Sequence, residues 1–267
     1  MQKHCIEVIK SAVDLLNLGQ VTVDVSDQPV YALSKQIQIL YPDQFGPGFY
    51  FPMFGGLHIE KVLLVIHGQL IEGSGLSELM DVSNLSVSGS GDALVKVPHI
   101  TRTRYLMQVC LCAEFKALKD AHSNRHETSS VYSWLTDEST KNDTMHYWKM
   151  IIDFQLYILL FIRSQREKNF LLYINILRSL MKYIFAFNHH HYARWLSVHV
   201  DDLLRLQHTS VDLYDVFMSG NFVLQKSNNP FSAIALDQGH EQNNATIKGL
   251  GGVVGILSRD SESALRR

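Results

Sequence analysis

The chain of 267 residues has only three cysteines, six prolines and no excess of either charge, and each shortage narrows what it can be. Cys5, Cys110 and Cys112 are odd in number, and the Cys-x-Cys pair is too close to found an ordinary disulfide framework, so they are expected as buried thiols of a reducing compartment. Lys and Arg total 24 against 26 Asp and Glu, a formal charge of -2. That balance supplies no cationic face for a phosphate backbone, so any nucleic-acid contact must be local.

Targeting and spanning segments are equally scarce. The N-terminal MQKHCIEVIKSAVDLLNLG alternates charged and apolar residues at helical spacing and lacks the apolar stretch and cleavage site of a signal peptide. The sequons at Asn84, Asn142 and Asn244 matter only in the secretory pathway, so they carry no weight. The best membrane candidate, MIIDFQLYILLFI at residues 150 to 162, falls short of the ~20 residues of a spanning helix and is broken by Asp153 and Gln155. An intracellular protein with a buried helix there is the expectation.

Several chemistries lack their signatures. GLGGVVG at 249 to 255 has the glycines of a phosphate loop without its lysine and hydroxyl, and no serine sits in a G-x-S-x-G elbow. The histidines at 189 to 191 are consecutive and diverge on a helix start, HIEKVLLVIH and GHEQNN both lack the i, i+4 histidine pair of a zincin helix, and CLC has no second cysteine pair. Neither a structural zinc nor a nucleophilic centre is expected.

What the chain does have is a 46% hydrophobic composition, enough for a substantial core, and a regular order of elements. Ile6, Ile9, Val13 and Leu16 recur at helical spacing up to Gly19. VTVDV at 21 to 25 alternates as a strand, and SDQP brings Pro29 to the start of a helix, VYALSKQIQIL. FYFPMFGG at 49 to 56 repeats the step into HIEKVLLVIHGQLIEG. The segment from Asp81 to His99 reads as a Ser- and Gly-rich loop, residues 122 to 143 as a polar surface excursion, and 144 to about 207 as nearly continuous helix. NFVLQ at 221 to 225 is a possible short strand before the last motif, FSAIALDQGHEQNN.

Among candidate catalytic groups the carboxylates remain. Asp24 and Asp27 end the first strand, while Asp237 and Glu241 are one helical turn apart on one face. Such a layout permits a two-metal phosphoryl-transfer site, whose ions lie about 3.5–4 Å apart. The plainer alternative makes Asp27 a helix cap and leaves Glu241 solvated.

Blocks spread over most of the chain resemble a family of mobile-element-associated proteins: SDQPVYALSKQIQ, FGGLHIEKVLLVIHGQLIEGSGL, HITRTRYLMQVCLCA, NFLLYINILRSLMKYIFAFNHHHYARWLSVHVDDLLRL and GNFVLQKSNNPFSAIALDQGHEQNNATIKGLGGVVGILS. The family is similar to transposases with a ribonuclease-H-like core. The resemblance implies that Asp27 is the first acid, Glu241 the late helical acid and Asp237 an adjacent candidate, all three as metal ligands for Mg²⁺, with His58 of GGLH matching a motif histidine. It implies DNA as a partner, nuclear location, and a truncated copy whose DNA-reading segment lies outside these residues. No Asp stands in the strand context of a middle acid.

The resulting expectation is a helix-rich α/β fold with a small ribonuclease-H-like mixed sheet interrupted by a helical insertion. Its parts are an α/β segment at 1 to 121, the excursion at 122 to 143, a helical bundle at 144 to 220 and a completing segment at 221 to 267. The expected function is a transposase-derived core for Mg²⁺-dependent DNA strand cleavage and transfer. The alternative is a non-catalytic helical module for protein–protein interaction.

Overall fold

The computed structural model describes residues 1–83, 94–125 and 128–249, and it is a helix-rich α/β protein with two small sheets. The sequon at Asn84, much of the Ser/Gly loop and the glycine cluster from Leu250 onward lie outside the described residues. The chain divides into two compact units. Unit 1 holds Met1–His58, Ser164–Leu171 and the described chain from Trp195 onward, while unit 2 holds Ile59–Arg163 and Leu172–Arg194.

Unit 1 opens with α1 (Gln2–Leu16), β1 (Thr22–Ser26), α2 (Gln28–Leu40), α3 (Pro42–Phe45) and β2 (Tyr50–Phe54). β1 and β2 pair in parallel, with Thr22 opposite Tyr50 and Ser26 opposite Phe54. Parallel neighbours need a crossover, which α2 and α3 supply, and α2 packs back on both strands. All five β2 residues are buried, which explains why YFPMF is apolar without alternation. Pro52 is tolerated because, among the described residues, β2 has a neighbouring strand on one side only.

The remainder of unit 1 comes from later chain. α10 (His190–Thr209) contributes its residues from Trp195, followed by α11 (Val211–Met218), the two-residue strands β3 (Leu224–Gln225) and β4 (Ala233–Ile234), and α12 (Leu236–Gly249). Here α10 takes its number after α4 (Gly56–Ile71), α5 (Leu76–Val82), α6 (Ile100–Asn124), α7 (Val131–Ser139), α8 (Asp143–Arg166) and α9 (Phe170–Ala186). β3 and β4 form an antiparallel pair, Leu224 opposite Ile234, and α12 rests on β1. The sequence expectation of a strand at 221 to 225 is thus met only by its last two residues.

An aromatic core joins these segments: Tyr31 stacks on Phe54 with centroids 4.7 Å apart, and Phe217 lies 5.8 Å from Phe51 and 5.3 Å from Phe170. Beside it runs a buried polar network. Lys35 Nζ meets Asp202 Oδ2 at 2.8 Å, Tyr31 donates its hydroxyl to the same oxygen, and the Gln38 amide donates to the carbonyls of Phe45 and Tyr50. Burial raises the Asp202 carboxyl above its ordinary range, against the opposing pull of Lys35.

Unit 2 is helical: α4 from Ile59, α5, α6, α7, most of α8 and α9, and the first turn of α10. The polar stretch at 122 to 143 is not all loop. α6 runs on to Asn124, and α7 buries Trp134 and Leu135 against Leu111 and Ile152, so two large apolar residues outweigh their polar surroundings. Arg104 forms a two-pronged ion pair with Glu60 at 2.5 and 2.6 Å, and Phe154 packs on Tyr183 at 4.4 Å. The cysteines differ from expectation: Cys110 is buried, but Cys5 and Cys112 are exposed. Two residues along a helix turn a side chain away from its neighbour's face, so Cys110 and Cys112 cannot both face the core.

Because Lys35 is only 7% exposed, removing its counter-charge strands a buried cation. Asp202→Asn is expected to destabilise unit 1 by about 3 kcal/mol, whereas the double replacement Lys35→Met/Asp202→Leu should be close to neutral, both read by urea unfolding.

Candidate functional site

Both βα turns of unit 1 open at the carboxyl ends of the parallel strands, the edge where α/β folds place ligands. The first turn carries Asp27. It is the N-cap of α2, its Oδ1 accepting from the Val30 N–H at 3.3 Å, with Pro29 in the first helical turn. This is the capping role that the SDQP pattern foreshadows, and it leaves the second carboxylate oxygen of a half-buried side chain uncommitted to that bond. Asp24, the other acid of the strand, points elsewhere and accepts from the Tyr50 hydroxyl at 2.8 Å.

The second turn carries the glycines and His58. Helix α4 begins at Gly56, and its first N–H groups have no partner inside the helix. Asp237, in the first turn of α12, fills that place from the far end of the sequence. Its Oδ2 accepts from Leu57 N at 3.0 Å and from His58 N at 3.2 Å, and its Oδ1 accepts from Leu57 N at 3.1 Å and from Gln238 N at 3.0 Å. A carboxylate at a helix N-terminus also meets the positive end of the helix dipole.

The close approach explains the glycines. A Cβ on Gly55 would lie 2.3 Å from Asp237 Oδ2 and 3.1 Å from the Ser26 carbonyl, and one on Gly56 would lie 2.9 Å from the Ala235 Cβ. Gly239, in the middle of DQGHEQ, is needed for a similar reason, since its Cβ would meet Leu224 Cδ2 at 2.5 Å where α12 lies on β3. These contacts fix α12 against both small sheets of unit 1.

His58 completes the cluster. Its Nδ1 lies 3.0 Å from Asp237 Oδ2, and its side chain is 30% exposed against 6% for Asp237. The Asp237 hydrogen bond is the largest influence on the imidazole and raises its pKa above the ordinary 6.5; burial opposes this, and the charges of Asp237, Asp27 and Glu241 add to the rise. The four residues singled out from sequence therefore share one electrostatic neighbourhood. With Nδ1 committed to Asp237, Nε2 is the nitrogen through which the ring can exchange protons. Glu241, one turn beyond Asp237, is exposed.

The donors are not arranged as a preformed metal site. Among the described residues no three His, Cys, Asp or Glu side chains are grouped so as to hold an ion, and the Asp237 oxygens are already spent on backbone N–H groups and His58. Nor do the described histidines at 189 to 191 form such a group; the rings of His190 and His191 stack with centroids 4.2 Å apart. The residue whose role the sequence did not disclose is Gly55, recognisable only once a carboxylate is known to lie against it.

The His58 shift links the site to stability with a definite sign. A histidine held above its unfolded value near 6.5 adds stability that is fully present below that pH and is lost as pH rises through the folded value. The difference in unfolding free energy between wild type and His58→Gln should therefore shrink from acid toward alkaline pH, and Asp237→Asn should flatten the dependence. Gly55→Ala is expected to displace the Asp237 carboxylate and cost about 2–3 kcal/mol in denaturant unfolding.

No curated protein and no solved structure matches the chain. A family model does match, over residues 107–266, a stretch that contains Asp237 and Glu241 and begins after Asp27 and His58. With more than half of its length in that match, the chain belongs to the family described as a domain of unknown function, DUF8702.

Proposed function

We propose that His58, oriented by Asp237, is the proton-transfer residue of a catalytic centre, carried on a ribonuclease-H-like core of transposase descent that acts on DNA phosphodiester bonds. The observation that carries the reading is the 3.0 Å contact between His58 Nδ1 and Asp237 Oδ2, with Asp27 and Glu241 close enough to raise the same imidazole. In this reading Asp237 is a positioning residue that fixes the ring and its tautomer, much as a carboxylate does in hydrolytic triads. His58 Nε2 donates a proton to the departing oxygen and recovers it from the incoming hydroxyl. Asp27 and Glu241 stabilise the imidazolium that precedes the donation and forms again on the recovery.

The local field also governs how a substrate enters. Three carboxylates around one histidine repel a phosphodiester, so the substrate approaches against the local field unless a cation accompanies it. The expected Mg²⁺ ligands Asp27, Asp237 and Glu241 do not fit a preformed ion site, and proton transfer at Nε2 does not depend on one. DNA as substrate and a nuclear location rest on the sequence resemblance. No described helix is long and apolar enough to cross a membrane.

A second reading, a non-catalytic module for protein interaction, draws on the caps: Asp27 and Asp237 both spend oxygens on helix N-termini. One experiment separates the two. End-labelled duplex and single-stranded DNA are incubated with the full chain in the presence of Mg²⁺ or Mn²⁺, alongside NMR titration of the His58 ring. Cleavage that falls about 10²–10⁴-fold in His58→Ala, and that also falls in Glu241→Gln, is the expected result. No cleavage, or cleavage indifferent to His58→Ala, overturns the catalytic reading and leaves the interaction module.

A further inference from the structure

Unit 2 contains a cavity of about 750 Å³ between α5, α6, α7 and α8. Its walls are largely apolar, with Met80, Val109, Trp134, Trp148 and Ile152 among them, and they carry one carboxyl group that the rest of unit 2 does not satisfy. Glu114 Oε1 accepts weakly from the Gln155 amide at 3.4 Å, while Glu114 Oε2 is buried and has no hydrogen-bond partner.

The group behind Glu114 deepens the deficit. The Gln155 amide nitrogen also lies 3.0 Å from Nε2 of the fully buried His67, and Gln155 Oε1 and His67 Nδ1 have no partner either. His67 stays neutral, since burial lowers its pKa to about 4, so no cation within this chain of groups balances the carboxylate. Burial raises the Glu114 carboxyl to about 7. Arg125, at the cavity wall, is paired with Glu138 at 3.2 Å and lies over the Trp134 ring, so its charge is engaged elsewhere. A buried polar network with unfilled members is costly, and a largely apolar lining with a few polar groups, here Ser83, Glu114, Arg125, Glu138 and Asn142, has the usual composition of a small-molecule pocket.

We propose that this cavity binds an apolar organic amine, its hydrocarbon body filling the space between the four helices and its ammonium group meeting the Glu114 carboxylate. Charge complementarity selects the head group. An ammonium supplies both the donor that Oε2 lacks and the cation that the burial of Glu114 calls for, whereas a carboxylate ligand would meet like charge and an alcohol would supply a donor without charge.

Trp134 and Trp148 are two of the three tryptophans in the chain, so fluorescence reads occupancy directly. The full chain is titrated with octylamine, 1-octanol and octanoate at about pH 8, where Glu114 is ionised and the amine is protonated. Saturable binding with octylamine about tenfold or more tighter than octanol is expected, and Glu114→Gln should bring the two together. Ala117→Phe, which places a ring in the cavity while keeping Glu114, should abolish the response to all three. Equal affinity for amine and alcohol, an amine preference that survives Glu114→Gln, a response untouched by Ala117→Phe, or no saturable change with any probe overturns the proposal.

Discussion

The Asp237 carboxylate is the contact on which the geometry of unit 1 turns. It joins residues 180 positions apart, satisfying the first N–H groups of α4 with a side chain from α12. One interaction thereby sets three things at once: where α4 starts, how α12 lies across the strand ends, and which nitrogen of His58 is free. The absence of side chains at Gly55 and Gly56 is the steric counterpart of the same bond, because the carboxylate occupies the space a Cβ would need. The acidic neighbourhood of His58 is a consequence of this arrangement, since Glu241 follows Asp237 by one helical turn and Asp27 caps the neighbouring βα turn.

Buried carboxyl groups are partnered differently in unit 1 and unit 2. In unit 1 the Lys35–Asp202 pair is supported by Tyr31 and Gln38, and Asp237 is surrounded by donors, so buried charge there is matched by partners. In unit 2 the Glu60–Arg104 pair is matched in the same way, but Glu114, Gln155 and His67 form a chain with open ends. The contrast separates charge that organises the fold from a carboxyl group at a cavity wall.

Local features of this architecture were legible in the sequence because their causes are local. Asp27 followed by Pro29 is a cap signal, alternation in VTVDV marks a strand, and the four-residue step from Asp237 to Glu241 places both on one helix face. The choice of Asp27, His58, Asp237 and Glu241 together came through resemblance; spacing by itself supplied no link between the two ends of the chain. What stayed hidden depends on distant partners. Nothing near Asp237 announces that its oxygens are taken by Leu57 and His58, and nothing near Lys35 announces Asp202. Residues 122 to 143 read as polar because hydrophilic side chains outnumber Trp134 and Leu135, yet burial of those two is enough to hold α7 against α6 and α8.

The discontinuity of unit 1 has a consequence for synthesis. Its parallel strands and the start of α4 are made within the first 58 residues, but the side chain that caps α4 is added only at residue 237, after all of unit 2 has been made. During elongation the α4 terminus and the glycine turn before it face water in place of a carboxylate, and the aromatic core of unit 1 waits for Phe217 and its neighbours. Domains generally complete themselves as their chain emerges, whereas this one cannot until nearly the last described helix is available. A nascent chain therefore carries His58 for most of its growth without the group that orients it.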